Sequence, residues 1–263
     1  MRISKKALLL CGAFFIACNL ANYSHAQCGD PASAQKVEVA YVYDGDTVKL
    51  SDGRKIRLIG INTPEEKKDT QPAEFLAREA TIELKALLRG ADVSLSLGIE
   101  KQDRYKRWLG HLYINGESVA EQLLSAGLAY QIGIPPNVQF ADCFKRAEES
   151  AAFAGRGLWK ISPWQNVTDL KDKESGFRLL IGKISAIKPI RSGWIVEVDD
   201  LLAIKVSHEV GQGLSERFEW QKAVGETVRI RGWVKPKSAS APSHYQPWFM
   251  NLSDKTDFEF SID

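Results

Sequence analysis

Cysteine is scarce in this sequence, and charge has no prevailing sign. Four cysteines in 263 residues exclude a small disulfide-packed scaffold, and 20 glycines with 10 prolines exclude a collagen-like repeat. The 35 basic side chains are nearly cancelled by 33 acidic ones, for a formal net charge of +2, which speaks against holding a polyanion by bulk charge alone. There is no repeat with a period of roughly 20 to 50 residues and no low-complexity run. What is there is an apolar fraction of 44%, over a length suited to one large or two ordinary domains. That is enough for real cores and too much for wholesale disorder.

The first residues read as a leader. Arg2, Lys5 and Lys6 form a basic start, residues 7–17 an apolar run too short to span a bilayer, and Ser24-His25-Ala26 puts small residues where a signal peptidase cuts. Cleavage before Gln27 is expected, giving an exported protein, periplasmic or secreted, with no stable membrane insertion. Ile16-Ala17-Cys18 also ends like a lipobox, but Phe15 is a poor match where leucine is usual, so lipid anchoring at Cys18 is the secondary reading. Losing the leader removes three basic groups and no acidic one, leaving 32 against 33. Cys11 and Cys18 leave with it. Export permits the remaining Cys28 and Cys143 to pair, closing a loop whose entropy is worth roughly 4–5 kcal/mol; the alternative is two unpaired small apolar side chains.

β-branched and aromatic residues predict a strand over 37–43, followed by the turn Asp44-Gly45-Asp46 and by strands over 47–50 and 55–61 around the hairpin signal Asp52-Gly53. Helical spacing of Leu76, Ala80, Leu84, Leu87 and Leu88 predicts a helix that Pro72 opens and Gly90 ends. Strands over 93–97 and 108–114 and helices over 117–125 and 140–153 complete the first half. Residues 160–176 read as a linker. Beyond it the chain is almost all strand, over 178–187, 193–198, 202–206, 227–234, 248–252 and 258–260, with one helix over 213–220. The fold class expected is β-rich α+β: a five-stranded OB-type barrel with three helices, then a second small antiparallel OB-like barrel. The division expected is a signal peptide (1–26), a catalytic-type domain (27–159), a linker (160–176) and an accessory domain (177–263).

Three short stretches are dense in groups suited to a metal ion and a phosphodiester: Asp44-Gly45-Asp46-Thr47, Arg57-Leu58-Ile59-Gly60-Ile61-Asn62-Thr63-Pro64-Glu65, and Asp103-Arg104-Tyr105-Lys106-Arg107. Hard cations want several oxygen ligands, and Asp46, Asn62 and the Thr63 carbonyl supply such a set. Hydrolysing a phosphodiester needs an oriented water and cations at the phosphoryl oxygens. Glu65 is the candidate base, and Arg57 and Arg107 are the candidate donors, because a guanidinium meets phosphate oxygens as a bidentate fork. Singly, each stretch is a turn, a strand exit or a solvated basic face. Their order along one barrel is what makes them specific.

With Asn115-Gly116, the run Leu123-Leu124-Ser125-Ala126-Gly127-Leu128-Ala129 and the ending Gly157-Leu158-Trp159, residues 37–159 resemble the thermonuclease, or staphylococcal-nuclease-like, family. The resemblance implies an OB-type barrel with three helices, and calcium-dependent endonucleolytic cleavage of DNA and RNA leaving 3′-phosphate and 5′-hydroxyl ends. It also implies roles: Asp46 as a carboxylate ligand of Ca²⁺, Thr63 as a carbonyl ligand, Glu65 activating water, Arg57 and Arg107 gripping the phosphate, and Arg104 and Tyr105 contacting a terminal phosphate. Two departures stand out. Asn62 occupies the place of a family aspartate, so a weak site is expected, working at roughly 10⁻⁴–10⁻³ M calcium. Gly133 and Pro135 occupy the places of nucleotide-stacking tyrosines, with Tyr130 a partial substitute.

His111 reads as a structural histidine, and Cys143 has no companion histidine to make it a nucleophile. Trp194, Trp220, Trp233 and Trp248 either fill a barrel core or offer platforms for bases. From Gln165 onward the chain balances 14 basic with 14 acidic residues, which speaks against a stand-alone nucleic-acid clamp; an accessory domain that helps position substrate or a partner is expected, and cleavage is expected to survive deletion of residues 166–263. The partner expected is DNA and/or RNA, met by a monomer. The competing reading is a non-catalytic nucleic-acid- or protein-binding module of the same fold. Arg57, Glu65 and Arg107 together, and a net charge unsuited to tight binding, favour the enzyme.

Overall fold

The same strand order is built twice along the chain. The computed structural model describes residues 28–29, 31–66, 72–171, 175–216, 219–238 and 246–260. The predicted leader, with Cys11 and Cys18, lies outside them. The first sheet contains β1 (Val39–Asp44), β2 (Thr47–Leu50), β3 (Lys55–Leu58), β4 (Val93–Gln102) and β5 (Trp108–Ile114). They run in the order β1-β2-β3-β5-β4, with β3 and β5 parallel and the other neighbours antiparallel. Helix α1 (Ala77–Leu88) connects β3 to β4, and α2 (Val119–Ser125) and α3 (Ala141–Phe153) follow β5. The second half contains β6 (Gly176–Ile190), β7 (Gly193–Val198), β8 (Leu202–Ser207), α4 (His208–Ser215), β9 (Thr227–Pro236) and β10 (Trp248–Asn251). Its order is β6-β7-β8-β10-β9, and β9 pairs back onto β6 from Gly176↔Val234 to Lys183↔Thr227, so the ring of five closes. Here too the third and fifth strands, β8 and β10, are parallel. The expected β-rich class and OB-type order hold in both halves. Among the described residues no helix is long and apolar enough to cross a membrane.

Each half has its own core, because period-2 strands and a 3.6-period helix turn one face inward. Val48, Leu50, Ile56, Leu58, Leu95, Leu112, Leu123 and Phe144 fill the first. Leu180, Val196, Ile204, Trp220, Val228, Ile230 and Val234 fill the second. α1 buries Ala77, Ala80, Thr81, Leu84 and Leu88 as one stripe, so Leu84→Ala, at a fully buried position, would cost roughly 2–5 kcal/mol. Cys28 and Cys143 form the expected disulfide, with sulfurs 2.01 Å apart.

Several elements differ from their predicted bounds, the strand over 93–97 running on to Gln102 and that over 178–187 extending from Gly176 to Ile190, and three of the differences have a local reason. The strand predicted over 55–61 breaks after Leu58, because Gly60 adopts φ +85° and a side chain there would strike the ring of Phe144. The chain resumes at Ile61–Asn62, which pairs with Tyr130–Gln131. The first helix begins at Ala77, five residues after Pro72, because Leu76 sits in the left-handed region at φ 63°. The helix predicted over 213–220 is found at His208–Ser215, started by Ser207, whose hydroxyl accepts from the Val210 N–H. Gly211 and Gly213 masked it in the sequence. Within the stretch read as a linker, Gln165–Asn166 pairs with β6 and Val167 is fully buried in the second core.

The halves meet at α3 and the 130s segment. Arg231, on β9, donates to both carboxylate oxygens of Glu148 on α3 at 2.7 Å and to the Gln131 carbonyl at 3.2 Å. Both charged side chains are 2% exposed. Glu148 outweighs the burial that would push the Arg231 guanidinium down, and raises its pKa. The Gln131 amide donates to Thr256 at 3.1 Å, and Lys145 reaches Glu259 at 3.5 Å. Gly133 approaches so closely that a Cβ there would collide with Asp254.

Candidate active site

The site begins with a turn that only glycine permits. At Gly45, between Asp44 and Asp46, a Cβ would lie within 3 Å of Ala80 and Thr63, so the turn packs directly on α1 and on the segment after β3. Asp46 is buried there. One of its oxygens accepts from the Thr47 hydroxyl at 2.9 Å; the other accepts from both the N–H and the hydroxyl of Thr63, each at 3.1 Å. The same oxygen lies 3.0 Å from the Arg57 guanidinium. Arg57 in turn donates to the carbonyls of Leu58 and Ile61 at 2.8 Å and to the Asn62 amide oxygen at 3.2 Å. The break at Gly60 makes this possible, since it curls residues 61–65 back over the β3 arginine. A guanidinium held on several acceptors is pre-oriented, so little rotamer freedom remains to be lost when a ligand arrives.

Glu65 is held at backbone level. Its N–H donates to the Glu74 carboxylate and its carbonyl accepts from the Glu74 N–H, both at 2.9 Å. Glu74, just before α1, therefore braces Glu65 from outside the helix. Across the cleft, the β4–β5 connection turns at Lys106, with φ 64°. Asp103 accepts from the Arg107 N–H at 2.9 Å and from its side chain at 2.7 Å. Burial pushes the Asp103 carboxyl up, but these bonds prevail and hold it below the usual range. Arg104 donates to the Tyr105 hydroxyl at 2.6 Å. The Arg104 and Arg107 guanidinium carbons lie 4.7 and 5.6 Å from the Tyr105 ring centre.

These residues line one cleft of about 850 Å³: Asp46, Arg57, Asn62, Glu65, Arg104, Tyr105 and Arg107 all face it. Thr63, the remaining candidate, is buried behind Asp46. Sequence reasoning left Asp44 out of the site, although it lines the same cleft. Its carboxylate accepts from the Asp46 N–H at 3.1 Å, and burial, followed by the nearby Asp46 charge, pushes its pKa up to about 6. A buried carboxylate beside another is a place that a positive charge would relieve. Among the described residues no three or more carboxylate, histidine or cysteine side chains gather around one point. The donors available are two carboxylates and an amide oxygen, which suit a hard divalent cation that keeps part of its water.

Other residues fall away from the cleft. His111 is 2% exposed, neither ring nitrogen has a hydrogen-bond partner among the described residues, and it packs between Phe140 and Phe144; burial pushes its pKa down to about 4. Tyr130 is half-buried between Trp159 and Phe177, and burial, with Glu74 and Glu148 nearby, pushes its hydroxyl up to about 12. Trp220 and Trp248 are core residues, and Trp194 packs edge-on against Trp220. Trp233, in contrast, lines the cleft.

The chemistry available is thus a carboxylate carried on a braced stretch of backbone, two oriented guanidiniums and a cluster of oxygen donors around one groove. Residues 55–161 match the family described as staphylococcal nuclease homologue. A thermonuclease of Staphylococcus hyicus is 30% identical over 131 residues, 49% of this chain and 78% of that protein. Endonuclease YncB of Bacillus subtilis (strain 168) is 29% identical over 151 residues, 54% of this chain and 72% of that protein. A thermonuclease of Staphylococcus intermedius is 30% identical over 125 residues, 46% of this chain and 74% of that protein. The family match starts at Lys55, after Asp46, but the 3.0 Å contact with Arg57 ties that aspartate to the matched region. On this likeness of sequence, the chain belongs to the staphylococcal nuclease homologue family.

Proposed function

We propose that this protein is an exported, calcium-dependent endonuclease that hydrolyses phosphodiester bonds of DNA and/or RNA. The observation that carries the reading is the convergence on one cleft of Arg57, Glu65 and Arg107, from three separate stretches of the chain. Glu65 takes a proton from the attacking water. Arg57 and Arg107 donate to the phosphoryl oxygens as charge grows on them in the transition state. Arg104 and Tyr105 hold a neighbouring phosphate. Asp46, Asn62 and the Thr63 carbonyl would hold the calcium ion, which supplies positive charge beside the phosphate when bound. The chain breaks on the 5′-oxygen side, leaving a 3′-phosphate and a 5′-hydroxyl. A disulfide between Cys28 and Cys143 supports export, since such bonds persist in oxidising compartments.

The test is incubation of the protein with single-stranded DNA, duplex DNA and RNA, with calcium or with chelator, alongside Glu65→Gln. The expected result is calcium-dependent cleavage, reduced by at least about 10² in the variant, the lower range for a positioned general base. Retardation of the nucleic acid by wild-type protein without cleavage would instead identify a binding module.

A further inference from the structure

One wall of the cleft comes from the second half of the chain. Trp233, Lys235 and Ser253 line it together with the residues assigned above. On β9 the alternation is clear: Val228, Ile230 and Val234 point into the second core, whereas Arg231, Trp233 and Lys235 share the other face. Arg231 bolts that face to α3 through Glu148 and to the 130s segment through the Gln131 carbonyl. The next two residues on the face follow at steps of roughly 6–7 Å, and both reach the cleft.

Trp233 is half-buried and is the last member of a run of rings. Its cross-strand partner Phe177 meets it edge-on at 5.2 Å, Tyr130 lies 5.8 Å from Phe177, and Trp159 lies 5.9 Å from Tyr130. Lys235 is exposed and makes no ion pair among the described residues. From the 130s segment the cleft receives Ile132, Ile134 and Asn137, and no aromatic side chain. A rigidly backed indole beside an unpaired ammonium, on the rim of a groove that holds phosphate-binding arginines, is the chemistry by which single strands are gripped: rings stack on bases, and cations follow the backbone. A duplex offers no free base face to such a ring.

We propose that Trp233 and Lys235 form a nucleotide subsite of the second half of the chain, with Trp233 stacking on a base and Lys235 binding a phosphate of a single-stranded substrate. The proposal rests on the endonuclease reading and adds a substrate preference to it. The experiment uses the full chain carrying Glu65→Gln, with calcium, and measures the affinity for a short fluorescein-labelled oligothymidylate and for a blunt DNA hairpin across a salt series. Adding Trp233→Ala should weaken single-strand binding about tenfold and hairpin binding less than about twofold, and Trp233→Phe should restore most of the loss. Adding Lys235→Ala should lower the slope of log affinity against log salt by about 0.7 for the single strand. Thermal unfolding of each variant checks the fold, and Lys235, being exposed, gives a reading even if the tryptophan variants unfold. Single-strand affinity and salt slope equal to those of the parent in Trp233→Ala and Lys235→Ala would overturn the subsite. If wild-type protein cleaves but neither substitution at Trp233 or Lys235 raises KM for the oligonucleotide, the subsite alone fails. If it neither binds nor cleaves nucleic acid, the endonuclease reading fails with it.

Discussion

At the scale of single residues, Asn62 and His111 each make a measurable difference. Asn62 offers an amide where a carboxylate would add charge to the oxygen cluster, and it already accepts from Arg57. Asn62→Asp should lower the calcium concentration for half-maximal cleavage, by roughly tenfold, because affinity in oxygen sites follows ligand charge. A calcium titration of activity checks it. His111 is buried with no hydrogen-bond partner among the described residues, and its pKa falls from the usual 6.5 to about 4. The unfolded chain therefore binds a proton that the folded one refuses. The His111 contribution to stability should fall as pH drops from about 6.5 to about 4, by about 3 kcal/mol, and stop changing below that range. His111→Leu should flatten the acid limb in urea unfolding across that range. The catalytic candidates were legible because each lies in a contiguous run whose chemistry is local. Asp44 was not, since the first residue of an Asp-Gly-Asp turn reads as a turn former. Trp233 was legible only as one of four tryptophans suited to a core or to a base platform, since its place depends on contacts made 100 residues away in sequence, by Arg231 to Gln131.

At the scale of elements, α3 is the member on which the rest depends. Cys143 ties it to the N-terminal end, Phe144 fills the first core and blocks a side chain at Gly60, and Lys145 and Glu148 engage the second half. Breaking the disulfide by Cys143→Ala should cost about 2–5 kcal/mol, read as a lower urea midpoint with equal loss on treating wild type with reductant. Helix existence was readable from spacing, but helix starts were not. Leu76 turns left-handed before α1 while Glu74 pairs with the Glu65 backbone, and two glycines inside α4 look like breaks until Ser207 and the packing of its apolar face are seen. Strand order is a matter of pairing over long distances, which composition and period cannot specify; only the helix placed between third and fourth strands in each half hinted at it.

For the whole molecule, the decisive contact is the buried pair of Arg231 and Glu148. Arg231→Met leaves a carboxylate buried with Lys145, 3.7 Å away, as its remaining charged partner, and should cost about 3–5 kcal/mol. Combining it with Glu148→Gln should recover much of that, because the amide oxygen still accepts from the Gln131 N–H and no strong charge is stranded. Urea unfolding of the two single variants and the pair measures the coupling. The contact also bears on the expectation that cleavage survives deletion of residues 166–263. Such a deletion takes Trp233, Lys235 and Ser253 out of the cleft wall. The disulfide, finally, has a consequence for the order of assembly. Both of its cysteines belong to the first half, 115 residues apart. A chain that emerges amino end first into an oxidising compartment can lock that half before the residues of the closed barrel have followed. On the export reading, the later half would then dock on a frame already cross-linked, with Arg231 meeting a carboxylate already in place.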